Sequence, residues 1–450
     1  MLGEPIPLTR LRPEEKLRDE EKCGKSIEKP EILFRNWGMS FRTIPLLFLM
    51  LPLHAQTDAW GLPPVKYSDT PATDRFAKLA EGWTKDPSSL PGDTPLERVR
   101  SVLAALQVPE ASQVLVFSKT SKQNGLIHPG NPRALYFSRD CYVGYVPGGA
   151  MEVAIHDQPL GVVFYHIDLG NSARPPRIER DTSECLSCHA TGNTENVPGV
   201  LVRSVYPDED GHPLLALGSG LITHETPLPE RWGGYFVTGS VSLPHLGNRT
   251  YAAGAEVNPA TYAWEDLRGK IDTSKYLRPT SDIVALMVLE HQCHAHNLLT
   301  AAAMNYRRAY YLAKAIDPER NPDEGAAGRI ADDAAAKIVD CFLFSREAGQ
   351  GTDGVEGTEE FQKQFQATTP RTAGGESLAD FQLNTRLFKN RCSYMVYSDA
   401  FEGLPETVKG RVIAGLRKVL QGPVADDCHK DIKPAERERI LRILTETGVL

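Results

Sequence analysis

The pentapeptide Cys185-Leu186-Ser187-Cys188-His189 constrains this chain more than any other feature. The chain has eight cysteines, and 185/188 is the single pair at C-x-x-C spacing. A histidine follows that pair directly. Two thiols so spaced reach the two vinyl groups of one porphyrin as thioethers, and the adjacent imidazole falls under the iron as an axial ligand. A zinc site needs a second ligand pair, and no other C-x-x-C exists. A thioredoxin-like redox pair sits at the strand-to-helix junction of a βαβ unit, which these flanks do not show. A plain disulfide is strained at this spacing. The reading is one haem c per chain, with Cys185 and Cys188 as covalent anchors and His189 as the proximal iron ligand. Polar residues on both sides predict a loop or one helical turn, capped by Asp181, Thr182 or Ser183.

Attachment of haem by dedicated machinery happens outside the cytoplasm, and the N-terminal region agrees with export. Residues 39–55 run from a basic head at Arg42 through an apolar stretch, Ile44 to Leu53, to the small residue Ala55. That is the layout of a secretory signal peptide. The stretch is too short to span a bilayer, and Pro45 and Pro52 interrupt it. Residues 1–38 mix acids and bases, an unusual preface to a signal peptide, so translation is expected to start at Met39. Cleavage near Ala55-Gln56 would leave a periplasmic or otherwise exported protein without an integral membrane segment. The net charge is −8 and no basic run appears. Nucleic acid is thereby excluded as a partner, because phosphate binding needs clustered Lys and Arg. The expected partner is a redox protein of unknown identity.

A second strong-field ligand would make the iron a low-spin electron carrier, whereas an open position favours ligand binding or chemistry. Three histidines are candidates for the sixth position, in the order His291, His245, His296. His291 lies in a long amphipathic helix expected over roughly 281–316, with Thr280 or Ser281 as its cap. His291 and His294 share one face of that helix, and His296 points about 140° away. A histidine hydrogen-bonded inside the core is the competing role for His291, and an exposed loop position is the competing role for His245. His224, Met287 and Met304 are weaker candidates. Ala425-Asp426-Asp427-Cys428-His429 looks like the haem motif without its first cysteine and reads as a surface Cys-His pair. Trp232 and Tyr235 are candidates for the haem edge, although strand aromatics more often fill the core.

The expected fold class is α+β: a β-rich antiparallel haem-bearing domain followed by a mainly α-helical C-terminal region. Its divisions are an extension (1–38), the signal peptide (39–55), a helical N-terminal segment (56–107), the β-rich haem c domain (108–258) and a helical C-terminal domain (259–450). Short apolar runs at Val114–Phe117, Ala134–Phe137, Tyr142–Val146, Met151–Ile155 and Leu160–Tyr165 predict antiparallel strands. Pro207-Asp208-Glu209-Asp210-Gly211 predicts a hairpin turn between Val200–Tyr206 and Leu214–Leu217. Trp232–Gly239 reads as another strand. Helices are expected at 96–106, 326–345, 405–420 and 434–447, and residues 347–378 read as a long loop. In an oxidising compartment some of Cys141, Cys293, Cys341, Cys392 and Cys428 are expected to pair.

Several stretches carry a family resemblance. They are Tyr142 to Gly149, Cys185 to Thr191, Val197-Pro198-Gly199, Arg203 to Asp208, Glu230 to Gly234, Glu290-His291-Gln292 with His296-Asn297, and Ser393 to Ser398. Together the chain resembles exported, largely uncharacterised bacterial proteins with one cytochrome-c-type CxxCH. A more distant similarity is to PAS-like periplasmic haem c modules. The resemblance implies haem c binding and assigns no reaction. Electron transfer is the leading functional reading. The alternatives are a peroxidase-like oxidoreductase with an open iron site, for which His291 with Glu290 would supply acid–base chemistry, and a redox- or gas-sensing haem module.

Overall fold

A computed structural model describes residues 59–170, 174–422 and 428–450. The expected signal peptide, its cleavage site, the extension before it and residues 425–427 of the half-motif that ends in Cys428-His429 lie outside the described residues.

The architecture is α+β. Strands β1 (Val114–Val116), β2 (Arg133–Ser138), β3 (Cys141–Tyr145), β4 (Met151–Asp157), β5 (Gly161–Asp168) and β6 (Arg177–Asp181) follow one another along the chain. Each pairs antiparallel with the next. With β9 (Tyr235–Phe236) added, a seven-stranded sheet results, in the order β6-β5-β4-β3-β2-β1-β9. The alternation of side chains along paired strands gives this sheet two unlike faces. One carries Tyr136, Val143, Val153, Ile155, Val163 and Tyr165, all buried. It packs under two N-terminal helices, α1 (Arg75–Lys85) and α2 (Pro95–Ala105). Phe76 of α1 meets Tyr165 edge-on at 4.8 Å. Asp74 caps α1 through the Ala77 N–H and accepts the Tyr165 hydroxyl at 2.6 Å. The opposite face is only half covered: Arg133, Leu135, Glu152, Ala154, His156 and His166 are all partly exposed.

Between β6 and β9 along the chain lie the one-turn helix α3 (Leu186–His189) and a small ribbon, β7 (Arg203–Val205) with β8 (Ser219–Leu221). Strand β9 (Tyr235–Phe236) returns to pair with β1. Strands β10 (Gly239–Val241), β11 (Ala263–Trp264) and β12 (Val355–Glu356) make a third sheet. The turn expected at 207–211 forms, with Gly211 at φ +90° and its N–H bonded to Asp208 O. Its strands pair differently from the expectation. The ribbon uses Ser219–Leu221, and Leu215–Leu217 is a 3-10 turn. The expected strand at 232–239 is interrupted for a similar backbone reason: Trp232 and Gly234 both have positive φ.

The long helix α4 (Ile283–Ile316) is central rather than amphipathic. Asp282, one residue past the expected caps, accepts the Ala285 N–H at 2.8 Å. From Ile283 to Met304 every residue except His294 is buried. Such a helix must be enclosed on all sides. It packs against β5 and against α5 (Ala326–Phe342). One continuous hydrophobic core therefore runs from Val65 to Leu444, across the boundary that composition suggests near residue 259. The stretch 347–378, expected as loop, contains β12 and α6 (Glu359–Ala367). Only Phe361 and Phe365 of α6 are buried, one turn apart, too sparse an apolar pattern to reveal a helix. Helices α7 (Glu406–Gln421) and α8 (Pro434–Glu446) close the C-terminal part.

Candidate functional site

The CxxCH motif follows directly on the polar edge strand β6. Asp181, the last residue of β6, turns the chain by accepting the N–H groups of Ser183 (2.9 Å) and Cys185 (3.1 Å). Of the three expected capping residues, Asp181 is the one that bonds to Cys185. The N–H of His189 then bonds to Cys185 O at 2.9 Å, so both cysteines and the histidine lie on one helical turn. Leu186 anchors that turn in the core, while Cys185 is half-buried and Cys188 exposed. Both thiols are free. Burial, with the nearby Asp181 carboxylate, pushes the Cys185 thiol up to about 12. It is a protonated thiol, unlike the acidified thiolate of a redox-active C-x-x-C pair.

His189 is held from two directions. Its backbone O accepts the Gly199 N–H at 2.8 Å, and its ring Nδ1 lies 2.9 Å from Gly199 O. A carbonyl only accepts, so Nδ1 carries the proton and Nε2 presents a lone pair. Among the described residues no hydrogen-bond partner faces that Nε2. Burial holds the imidazole below its usual pKa, an effect the Gly199 bond only partly offsets, so the ring is neutral near pH 7. An imidazole with one nitrogen tied to a carbonyl and the other open is the arrangement metal-ligating histidines adopt. The Phe164 ring, on the half-covered sheet face, packs against His189 with centroids 5.1 Å apart. Glu152 lies on the same face. Burial pushes its carboxyl up, but Arg133, Gln123, His189 and His166 together hold it below the ordinary value.

The Gly199 carbonyl is fixed in turn by α4. The Asn297 side chain accepts Val200 N–H at 3.0 Å and donates to Val200 O at 2.7 Å. A Cβ at Gly199 would collide with the Asn297 carboxamide, so only glycine allows this approach.

Residues 290–297 of α4 are a hub for buried polar contacts. Glu290 receives Arg231 at 2.7 Å and the Trp232 indole N–H. His291 contacts His224 at 3.1 Å and Ser393 at 2.6 Å. Gln292 donates to Ser138 O and accepts the Tyr394 hydroxyl. His296 contacts the Tyr142 hydroxyl at 3.0 Å and His156 at 3.2 Å. Most of the stretches that carry the sequence resemblance thus meet on two turns of one helix.

The three histidines considered for the sixth position are all buried and all engaged elsewhere. His291 and His296 have both ring nitrogens in hydrogen bonds. His245 is buried rather than exposed; its Nδ1 accepts the Gly247 N–H, and its ring packs on Trp232 and Tyr262. Among the described residues none of the three shares a hydrogen bond or ring contact with His189. Met287 and Met304 are buried core residues. Glu290 does not pair with His291, so the acid–base couple considered from sequence does not form. Trp232 and Tyr235 are both buried, and Trp232 serves Glu290. His429 is buried, 3.3 Å from Asp340, not at the surface. Cys141, Cys293, Cys341 and Cys392 are free and buried.

Sequence reasoning missed Gly199, Asn297 and Phe164 as supports of His189. The motif gives no address for a carbonyl ten residues on or an amide on a distant helix. Val197-Pro198-Gly199 and His296-Asn297 were visible only as separate parts of a resemblance. No protein-family model, curated protein or solved structure matches the chain. No helix among the described residues is long and apolar enough to cross a membrane.

Proposed function

We propose that this chain is an exported protein that carries one covalently attached haem c and passes electrons to or from a redox partner protein. Cys185 and Cys188 are the thioether anchors, and His189 is the proximal iron ligand. The observation that carries the reading is the state of this turn: two free thiols and, beside them, a neutral imidazole whose Nδ1 is tied to Gly199 while Nε2 is open. The donor set matches what haem c demands. The group, when bound, supplies one-electron chemistry at the iron. The chain's own residues fix the proximal ring, through Gly199 and Asn297, and exclude water from its inner side with Phe164. The family resemblance points to the same cofactor. The test is expression with the signal peptide and the haem-attachment machinery, followed by a pyridine haemochrome spectrum and haem staining of the denatured chain. One haem that survives denaturation supports the reading; an unstained, haem-free chain refutes it.

A second reading, an open iron position used in oxidoreductase or sensing chemistry, has one specific observation in its favour. Of the histidines considered as sixth ligands, His291 and His296 have both ring nitrogens in hydrogen bonds, and His245 has its Nδ1 taken by Gly247 N–H. Carbon monoxide distinguishes the two: a reduced spectrum unmoved by it supports an electron carrier with two protein ligands, and a shifted Soret band supports the open site.

A further inference from the structure

A second cluster of donor atoms lies on α4, independent of the CxxCH turn. We propose that His224, His294 and Cys341 bind a zinc-class transition-metal ion. Their donor atoms lie within 4.8 Å of one another, with Cys341 Sγ 3.9 Å from His294 Nδ1. This is the one such group found among the described residues. In a tetrahedral site with Zn–N near 2.0 Å and Zn–S near 2.3 Å, donor atoms stand about 3.3–3.6 Å apart. The cluster needs to close by about an ångström to reach that spacing. Imidazole and thiolate are the donors that suit such an ion.

The His224 ring carries the strongest sign. It is 3% exposed, and its Nε2 is buried with no hydrogen-bond partner. Its Nδ1 lies 3.1 Å from His291 Nδ1, and His291 Nε2 lies 2.6 Å from Ser393 Oγ. When His291 donates to Ser393 and His224 Nδ1 donates to His291, His224 Nε2 presents a bare lone pair. A metal ion would take that lone pair, with His291 as the outer partner that orients the ligand ring.

The three ligands come from three segments, each tied into the fold. His224 sits in a tight turn, Thr223 to Thr226, closed by two mutual hydrogen bonds. Its carbonyl accepts Ala348 N–H and Arg231. The neighbouring Glu225 forms a two-pronged pair with Arg346, 3.0 Å at each contact. Phe344 stacks on His291 at 4.1 Å and meets His224 edge-on at 5.2 Å. Cys341 stands in the last turn of α5 and is buried, which shields its thiol from oxidants. His294 is the partly exposed member and marks the side from which an ion enters and a water completes the shell. Binding releases the Cys341 thiol proton to solvent and leaves thiolate as the ligand.

The full-length protein, stripped with a chelator and reloaded with zinc, is assayed for zinc and iron per chain by elemental analysis. One zinc per chain is expected, with a zinc X-ray absorption first shell of one sulfur and nitrogen or oxygen for the rest. His294→Gln and Cys341→Ser are each expected to weaken zinc retention at least about tenfold. Zinc that does not bind at micromolar concentration, a first shell without sulfur, or undiminished retention in both variants would overturn the proposal. Where a variant fails to fold, the absorption spectrum of the unaltered chain decides. Zinc and iron are counted separately, so the outcome does not depend on the haem reading.

Discussion

His189 and His296 lie over the same half-covered face of the sheet, yet they are held in opposite ways. His189 packs on Phe164, and one of its nitrogens is tied to Gly199 O while the other meets no protein partner among the described residues. His296 contacts Tyr142, two strands away in the same sheet, and both its nitrogens are taken. The difference separates a histidine held ready for a ligand from one that serves the fold. Residue type and helical spacing do not distinguish the two; the partner of the second nitrogen does.

The largest test of the contrast removes the anchors. Cys185→Ala with Cys188→Ala should abolish covalent haem, read as loss of haem staining after denaturation, while the fold persists because Cys188 is exposed and Cys185 only half-buried. The next acts on the hub. Arg231 and Glu290 form a buried ion pair, 2.7 Å apart. Arg231→Met would leave Glu290 buried without its cation and should cost about 3–5 kcal/mol in denaturant unfolding. Loss of that size with retained haem staining would show that hub and motif are separable.

Acid should expose the fold-serving histidines as a group. Burial pushes His291 down to about 3 and His245 and His296 to about 4, against 6.5 when exposed. Below pH 6.5 the unfolded chain takes up protons that the folded chain refuses, so stability present above 6.5 is lost as pH falls towards 4. Buried acids oppose this. Burial raises Glu290 to about 7 and Asp140 to about 6, and raises Asp74, Asp282 and Glu347 as well, so each takes its proton earlier in the folded state and gains stability as pH falls. Burial also depresses His156, His189 and His224, and the histidines together are expected to outweigh the acids, giving a net loss of stability between pH 7 and 4. Urea midpoints across that range check it; a flat profile would mean the buried rings are more hydrated than they look.

Replacing His296 tests the contrast at its other end. His296→Phe keeps the ring but strands the Tyr142 hydroxyl and His156 Nδ1, and should cost about 1–3 kcal/mol. The haem spectrum should not change. A shift from low to high spin would instead assign His296 as the sixth ligand and dissolve the distinction.

Much of the fold was legible because its signals are local. The strands β1 to β5 announce themselves as apolar runs between turns, and five long helices fall within a few residues of their expected ends. What was illegible depends on distant partners or on sparse patterns. The edge strand β6 reads Arg-Ile-Glu-Arg-Asp and shows no apolar run, because neither face of an edge needs full burial. The helix α4 looked amphipathic since its interior carries Glu290, His291, Gln292, His296 and Asn297, and each of these is satisfied by a residue far along the chain. Of the candidate site, Cys185, Cys188 and His189, the proposed anchors and proximal ligand, lie within five consecutive residues. Gly199 and Asn297 were not legible, because a hydrogen bond across a fold leaves no spacing to count.

The smallest expected effect is on the outer side of the motif. Lys122 bridges Asp181 and Glu184 in front of Cys185 and is more than half exposed. Exposed pairs of this kind contribute little, because water and salt screen them. Lys122→Ala should cost less than about 1 kcal/mol, and raising the salt concentration should erase most of that difference. Haem staining should be unchanged. The turn that carries His189 is held from within, by Leu186 in the core and by Asn297 through Val200, so removing its surface tie leaves the His189 ring where it is. A large loss of attachment in this variant would place the organising contact on the surface instead, and would make Asp181 rather than α4 the residue that sets the motif.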